Sequence, residues 1–245
     1  MAAKIPNIWG HVLKKAFIDN IDEYIRPFDL ELLSHSLRSL SVTRFEIDEH
    51  ERGDPRSVAI RFEFAENEYF EDTVLEKKFW WRQSKHGFAR LVSEPVEIRW
   101  KKGRDLTDGL LHLAKAVFDE RRGKPHQELT GSQRALEARI DKIDMSDVSF
   151  FAWFGYIGEY VSAEESRIAI DEEKEERRRR KAGDDTARKE NDDGESGGDG
   201  NDSDDLEIFP SGDAITREIV DNLWPDAVGY ISQSATISPL ASNTG

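Results

Sequence analysis

The chain has 245 residues, with 50 acidic and 35 basic side chains and a formal charge of −15. Only 37% of its residues are hydrophobic and 35% are charged, so one folded core accompanied by a charged segment that does not fold is the expected organisation. The absence of cysteine excludes disulfides, zinc–thiolate and iron–sulfur centres and a cysteine nucleophile. The acidity argues against nucleic acid as the main partner and favours a basic one.

Ile8–Ile25 places Val12, Leu13, Ala16, Phe17, Ile21 and Tyr24 at helical spacing, and Phe28–Leu40 does the same with Leu30, Leu33 and Leu37. Leu40, Val42, Phe45 and Ile47 predict a strand, with a phase slip near Thr43 or Arg44 read as a bulge. Val58, Ile60, Phe62 and Phe64 alternate with Ala59, Arg61 and Glu63 as in a half-buried strand. Leu75, Phe79 and Trp81 predict the next strand, and Val96, Ile98 and Trp100 the last. Turn signals at Gly53-Asp54-Pro55, Glu66-Asn67-Glu68 and Lys85-His86-Gly87 separate the four, which implies an antiparallel meander.

Thr107–Arg121 carries a helical stripe of Leu110, Leu111, Ala114, Val117 and Phe118, and Leu129–Ile143 predicts a weaker helix. Phe150–Tyr160 is densely aromatic. It reads as a partner-binding ridge or as a segment clamped under the sheet, the second being favoured. Glu164–Lys181 balances seven acids with seven bases, acids before bases, and predicts an exposed helix. Asp184–Asp205 holds ten acids against Arg188 and Lys189, a charge of −8 in 22 glycine-rich residues, and is expected to be disordered. Ile215–Trp224 predicts a last helix stopped by Pro225, and a polar tail follows Ser232. The domain expectation is therefore a folded first part over 1–163, a charged helical extension over 164–183, an acidic loop over 184–205, a return to the fold over 206–232 and a tail over 233–245.

The phosphate-loop, dinucleotide, metalloprotease and nucleophile-elbow motifs are all absent. His11, His35, His50, His86, His112 and His126 are scattered without ligand spacing, and the acidic stretch lacks the spacing of a calcium loop. The expectation is a protein with no catalytic site, no metal and no cofactor. No apolar run reaches 18 residues and the N-terminus shows no signal pattern, so no membrane association is expected, and the protein is read as intracellular and soluble. Arg177, Arg178, Arg179, Arg180 and Lys181 form a candidate nuclear-import signal, or else the basic end of a solvated helix.

Six stretches in order resemble one family. Ile5-Pro6-Asn7-Ile8-Trp9 is similar to its "IPxFW" start. Asn67-Glu68-Tyr69-Phe70 is similar to "NxYF", and Leu75-Glu76-Lys77-Lys78-Phe79 to "LxKxF". Ile98–Thr107 resembles "IxWKxGKDLT" with Arg104 where Lys is usual, Ser149–Phe154 resembles "SFFxWF", and Ile219–Tyr230 resembles "IxxxLWPxAxxYY". The family is the nucleosome assembly protein (NAP/SET) histone chaperones. The resemblance implies an α+β earmuff domain, an antiparallel sheet over a helical underside. It also implies core histones as partners, a role in nucleosome assembly, and a nuclear location with shuttling to the cytoplasm. Members open with a long dimerising helix ahead of the "IPxFW" point. Only Met1–Lys4 precede it here, so a monomer, or a dimer through another surface, is expected. The acidic stretch also lies ahead of the last helix, whereas many members carry their main acidic tail at the C-terminus.

The histone-binding candidates are the acids that could compete with phosphate for a basic partner. In the loop these are Asp184, Asp185, Asp192, Asp193, Glu195, Asp199, Asp202, Asp204 and Asp205, and near the underside motifs Asp105, Asp213, Glu218 and Asp221. Two rival readings are a regulatory adaptor that inhibits or assists a nuclear enzyme, such as a phosphatase or histone acetyltransferase, and a paralogue that keeps the fold without carrying histones.

Overall fold

The structure is a computed structural model that describes residues 24–49, 53–85, 88–121, 130–144, 147–159, 161–181 and 206–225. The expected helix at Ile8–Ile25, apart from its last two residues, the acidic stretch Asp184–Asp205 and the tail after Ser232 lie outside them.

Pro27 opens α1 (Pro27–Ser36), its fixed φ suiting the first helical position. Asp29 of its first turn is fully buried. Its carboxylate accepts from Ser149 Oγ (2.6 Å), Phe150 N (2.8 Å) and Arg26 N (3.1 Å). Burial pushes this carboxyl above its ordinary range, and those three bonds oppose the shift. Asp29 thereby ties the start of the chain's described part to the aromatic segment 120 residues later.

The chain turns directly from α1 into the sheet, so the helix expected to reach Leu40 ends at Ser36. The strands are β1 (Leu37–Thr43), β2 (Val58–Phe64), β3 (Val74–Gln83) and β4 (Ala89–Ser93), antiparallel neighbours in the order β1-β2-β3-β4. The meander is as expected, but two of its strands differ from the reading. Phe45 and Ile47 do not continue β1; they belong to α2 (Phe45–Glu49), and the register shift lies between Leu37 and Ser39. Glu46 fixes α2 by accepting from Ser57 Oγ (2.7 Å), Arg82 (2.9 Å) and Asp54 N (3.1 Å), while Phe45 stands edge-on to Trp80 on the sheet.

Val96–Trp100 is not the fourth strand; Ala89–Ser93 is. Pro95 cannot donate to a ladder. Val96 N bonds instead to Phe154 O (2.8 Å), and Arg99 O accepts from Glu71 N (3.0 Å), leaving one isolated bridge from Trp100 to Phe70. The burial inferred from the alternation still holds, with Ile98 buried and Trp100 half-buried against the core.

Beneath the sheet lie α3 (Leu110–Arg121), α4 (Gly131–Ile140) and a 3₁₀ segment, Phe150–Gly155. Thr130 and Gln133 start α4 with a reciprocal capping box (Gln133 N to Thr130 Oγ1 3.1 Å, Thr130 N to Gln133 Oε1 2.7 Å). All six residues of the 3₁₀ segment are buried, so the aromatic cluster is core and not a ridge. Phe62 of β2 meets Phe150, Trp153 and Phe154 at centroid distances of 6.3, 5.9 and 5.7 Å, mostly edge to face. Each such ring contributes roughly 1.5–3 kcal/mol by leaving water. The core is closed last by residues 206–223, with Leu206, Ile208, Phe209, Ile215, Ile219 and Leu223 buried.

Candidate functional site

The long charged helix α5 (Ala163–Lys181) begins with a capping box in which Ser162 Oγ accepts from Glu165 N (3.2 Å) and Glu165 accepts from Ser162 N (3.0 Å). Acids fill its first turn and bases its last, complementing the helix dipole. The helix buries only Ser166 and Ala169, and Gln83 at the end of β3 holds it, donating N to Ser166 Oγ (2.9 Å) and Nε2 to Glu173 (2.7 Å). Its outer half stands in solvent. There Arg177 pairs with Glu173 (3.6 Å), Arg178 and Arg179 with Glu175 (3.1 and 3.4 Å) and Arg180 with Glu176 (3.3 Å). The basic run proposed for nuclear import is thus held on a helix, four of its five side chains set against acids one turn back. Such exposed pairs contribute little individually.

The four folded acids singled out from sequence occupy two places. Asp105 lies ahead of α3, and its carboxylate accepts from Thr107 N (2.8 Å), Thr107 Oγ1 (2.7 Å) and Gly109 N (2.9 Å). Thr107 Oγ1 in turn accepts from Leu111 N (3.3 Å), so Asp105 organises the start of the helix. The other three share the closing stretch formed by α6 (Gly212–Arg217) and a π-helical turn, Glu218–Leu223. Asp213 pairs with Arg217, Glu218 accepts from Asn222 Nδ2 (2.6 Å), and Asp221 is exposed. Ile215, Ile219 and Leu223 bury the opposite side. Replacing Asp105 by alanine is expected to lower the unfolding free energy by about 1–2 kcal/mol through loss of the cap. Affinity for a basic partner should be unchanged; lost affinity at wild-type stability would make Asp105 a contact residue. The nine loop candidates from Asp184 to Asp205 lie outside the described residues.

Sequence reading missed the buried charges beside this stretch. Lys77 of β3 faces inward between Leu75 and Phe79, fully buried. Its Nζ donates to the carbonyls of Glu94 (3.0 Å), Phe154 (3.0 Å) and Tyr156 (2.9 Å). Burial lowers its pKa to about 7, against the opposing charges of Glu207 and Glu94. Glu207 accepts from Ile157 N (2.9 Å), Phe209 N (3.0 Å) and Gly158 N (3.1 Å). Burial raises its carboxyl above the ordinary value, while those amides and Lys77 pull it back. A lysine at an apolar position of an alternating strand was the available signal. Among the described residues no group of three or more His, Cys, Asp or Glu could hold a metal ion, and no helix is long and apolar enough to cross a membrane.

Residues 1–233 match the family model for nucleosome assembly protein (NAP). A nucleosome assembly protein of Schizosaccharomyces pombe is 34% identical over 125 residues, which are 47% of this chain and 48% of that protein, so the chain spans about half the length of this curated relative. The crystal structure of Ccp1 is similar at a TM-score of 0.51 and 22% identity, over 98% of this chain and 80% of that one. The crystal structure of Vps75 is similar at 0.52 and 17% identity, over 96% of this chain and 80% of that one. Both likenesses extend to the α+β fold, a four-stranded antiparallel sheet over a helical underside. With the family model matching nearly end to end, this chain belongs to the nucleosome assembly protein family.

Proposed function

We propose that the protein is a histone chaperone, a non-enzymatic carrier that binds basic core histones and takes part in nucleosome assembly and disassembly in the nucleus, with shuttling to the cytoplasm. The observation that carries this reading is the placement of charge. More than half of the net −15 lies between Asp184 and Asp205. That stretch follows the exposed basic end of α5 and precedes the buried re-entry at Leu206, Ile208 and Phe209. An anionic surface of this valence attracts Lys- and Arg-rich chains and competes with phosphate for them. Family membership supports the reading, as does the likeness in fold to Vps75, which is itself described as a histone chaperone. Asp213, Glu218 and Asp221 add acidic groups after the re-entry point, with Arg217 the one basic residue between positions 206 and 225.

Titration with H2A–H2B and H3–H4 tests it. Deletion of Asp184–Asp205 is expected to weaken histone binding at low salt about tenfold or more and to flatten its salt dependence. The thermal transition should stay within about 2 °C of the intact protein. Screening confines exposed charge to about 8 Å at physiological ionic strength, so raising salt should weaken the intact protein more than the deletion. Equal binding by the two proteins at low salt would remove the acidic stretch from the histone site. Absence of histone binding by the intact chain would overturn the chaperone reading.

A further inference from the structure

The segment that leaves the core towards α5 is gripped on both of its hydrogen-bonding edges. On the carbonyl side, Lys77 Nζ holds Phe154 O and Tyr156 O. On the amide side, one oxygen of Glu207 accepts from both Ile157 N and Gly158 N, while its other oxygen accepts from Phe209 N two residues on. Glu207 is the second residue after the chain's return to the core, so one carboxylate joins the exit of the α5 excursion to its re-entry. The surrounding packing leaves no room for side chains at two glycines. Gly158 has φ +72°, and a Cβ there would lie 2.7 Å from Tyr156 Oη; a Cβ on Gly212 would lie 2.2 Å from the Tyr156 ring. By contrast, α5 is weakly held. It buries only Ser166 and Ala169, leaves Ile168 48% exposed, and lies along β3, bonded there by Gln83.

We infer that α5 is a movable arm hinged at Gly158, and that Glu207, braced by Lys77 across the same segment, is the latch that closes its neck. With the latch closed, residues 157 and 158 continue the core and the arm leaves it in one direction. With the latch open, the two amides lose their acceptor and the arm swings about Gly158, while the sheet and the Phe150–Phe154 segment, held by Asp29 and by ring packing, stay folded. Of the charged groups around the latch, Lys77 favours the Glu207 carboxylate, and Asp213, Arg217 and Arg90 act together with Glu207 on the neighbouring Tyr156 hydroxyl. The two amides share one carboxylate oxygen as their acceptor, while Ile157 O accepts from Ser93 N (2.8 Å) and Glu159 pairs with Arg90 (3.1 Å) as secondary ties of the neck to β4.

Amide hydrogen exchange on the full chain tests this. Glu207→Met removes both acceptor oxygens from the three amides at nearly unchanged side-chain volume. Exchange at Ile157, Gly158 and Phe209 and in the first turn of α5 is expected to rise at least tenfold, while exchange in β2 and at Phe151–Phe154 stays within twofold of wild type. Ser166→Ala, which removes one of the arm's two bonds to Gln83 without touching the neck, should raise exchange in α5 alone. If the methionine variant does not fold, Glu207→Asp retains the charge facing Lys77 but shortens its reach, and should give the same local pattern. A uniform rise over the whole core, or unchanged exchange at Ile157 and Gly158, would overturn the inference.

Discussion

Replacing Lys77 by methionine is expected to lower the unfolding free energy by about 3–5 kcal/mol, the range for removing one partner of a buried charge arrangement. The side chain's volume is nearly kept, so the loss is one of polar satisfaction. The carbonyls of Glu94, Phe154 and Tyr156 keep their place and lose their donor, and Glu207 loses its nearest counter-charge. Chemical denaturation at constant pH measures the effect, and a variant as stable as wild type would mean the three carbonyls find water. The pH dependence has a definite sign. In the native state the ammonium's pKa is depressed to about 7, against 10.5 for an ordinary lysine. Between these values the unfolded chain binds the extra proton, so the Lys77 contribution to stability rises with pH and is least favourable below 7. From pH 7 to pH 9, wild type should therefore gain about 2 kcal/mol relative to the methionine variant. A constant difference would show that the three carbonyls keep the ammonium near its ordinary value.

Phe62→Ala should cost a similar amount, about 3–5 kcal/mol, for a different reason. The ring is 1% exposed and sits at the centre of the sheet's inner face, against Phe150, Trp153 and Phe154 and beside Phe64. Its removal leaves a cavity walled by rigid rings on a pleated sheet, and neither wall can collapse far. Thermal or denaturant melts followed by tryptophan emission read the loss. Histone affinity per folded molecule should be unchanged; full stability with lost affinity would place Phe62 on a contact surface.

The sequence was informative where a segment has one wet and one dry side. β2 alternates from Ile60 onward because its inward residues meet the aromatic segment and Arg61 and Glu63 face solvent, whereas Ala59, expected on the wet side, is buried. β4 gave no such signal, since Leu91, Val92 and Ser93 are buried in succession with cover on both faces. The alternation of Val96–Trp100 was real, but alternation reports an extended chain with one dry side, not a ladder. Loop residues 69–71 and the 3₁₀ segment served as partners in place of a strand. The aromatic cluster was legible as buried matter, but its tight 3₁₀ winding was not. Of the candidate site, abundance of acid was visible from composition. The spending of Asp105 on a helix start was not, nor was the Lys77–Glu207 arrangement, which joins residues 130 positions apart.

The order in which the core closes bears on how the chain is made. β1 to β4 and the aromatic segment leave the ribosome well before residues 206–223, yet Ile208, Phe209 and Ile215 cover that segment and Trp153 Nε1 donates to Gly212 O (3.1 Å). A nascent chain that has reached residue 205 would hold a paired sheet above aromatic rings still open on one side, with Lys77 facing no glutamate at position 207. Such half-closed intermediates are prone to associate with one another. The 22 residues synthesised just before closure include the ten acids of Asp184–Asp205, and their net charge would oppose such association while the covering stretch is still to come.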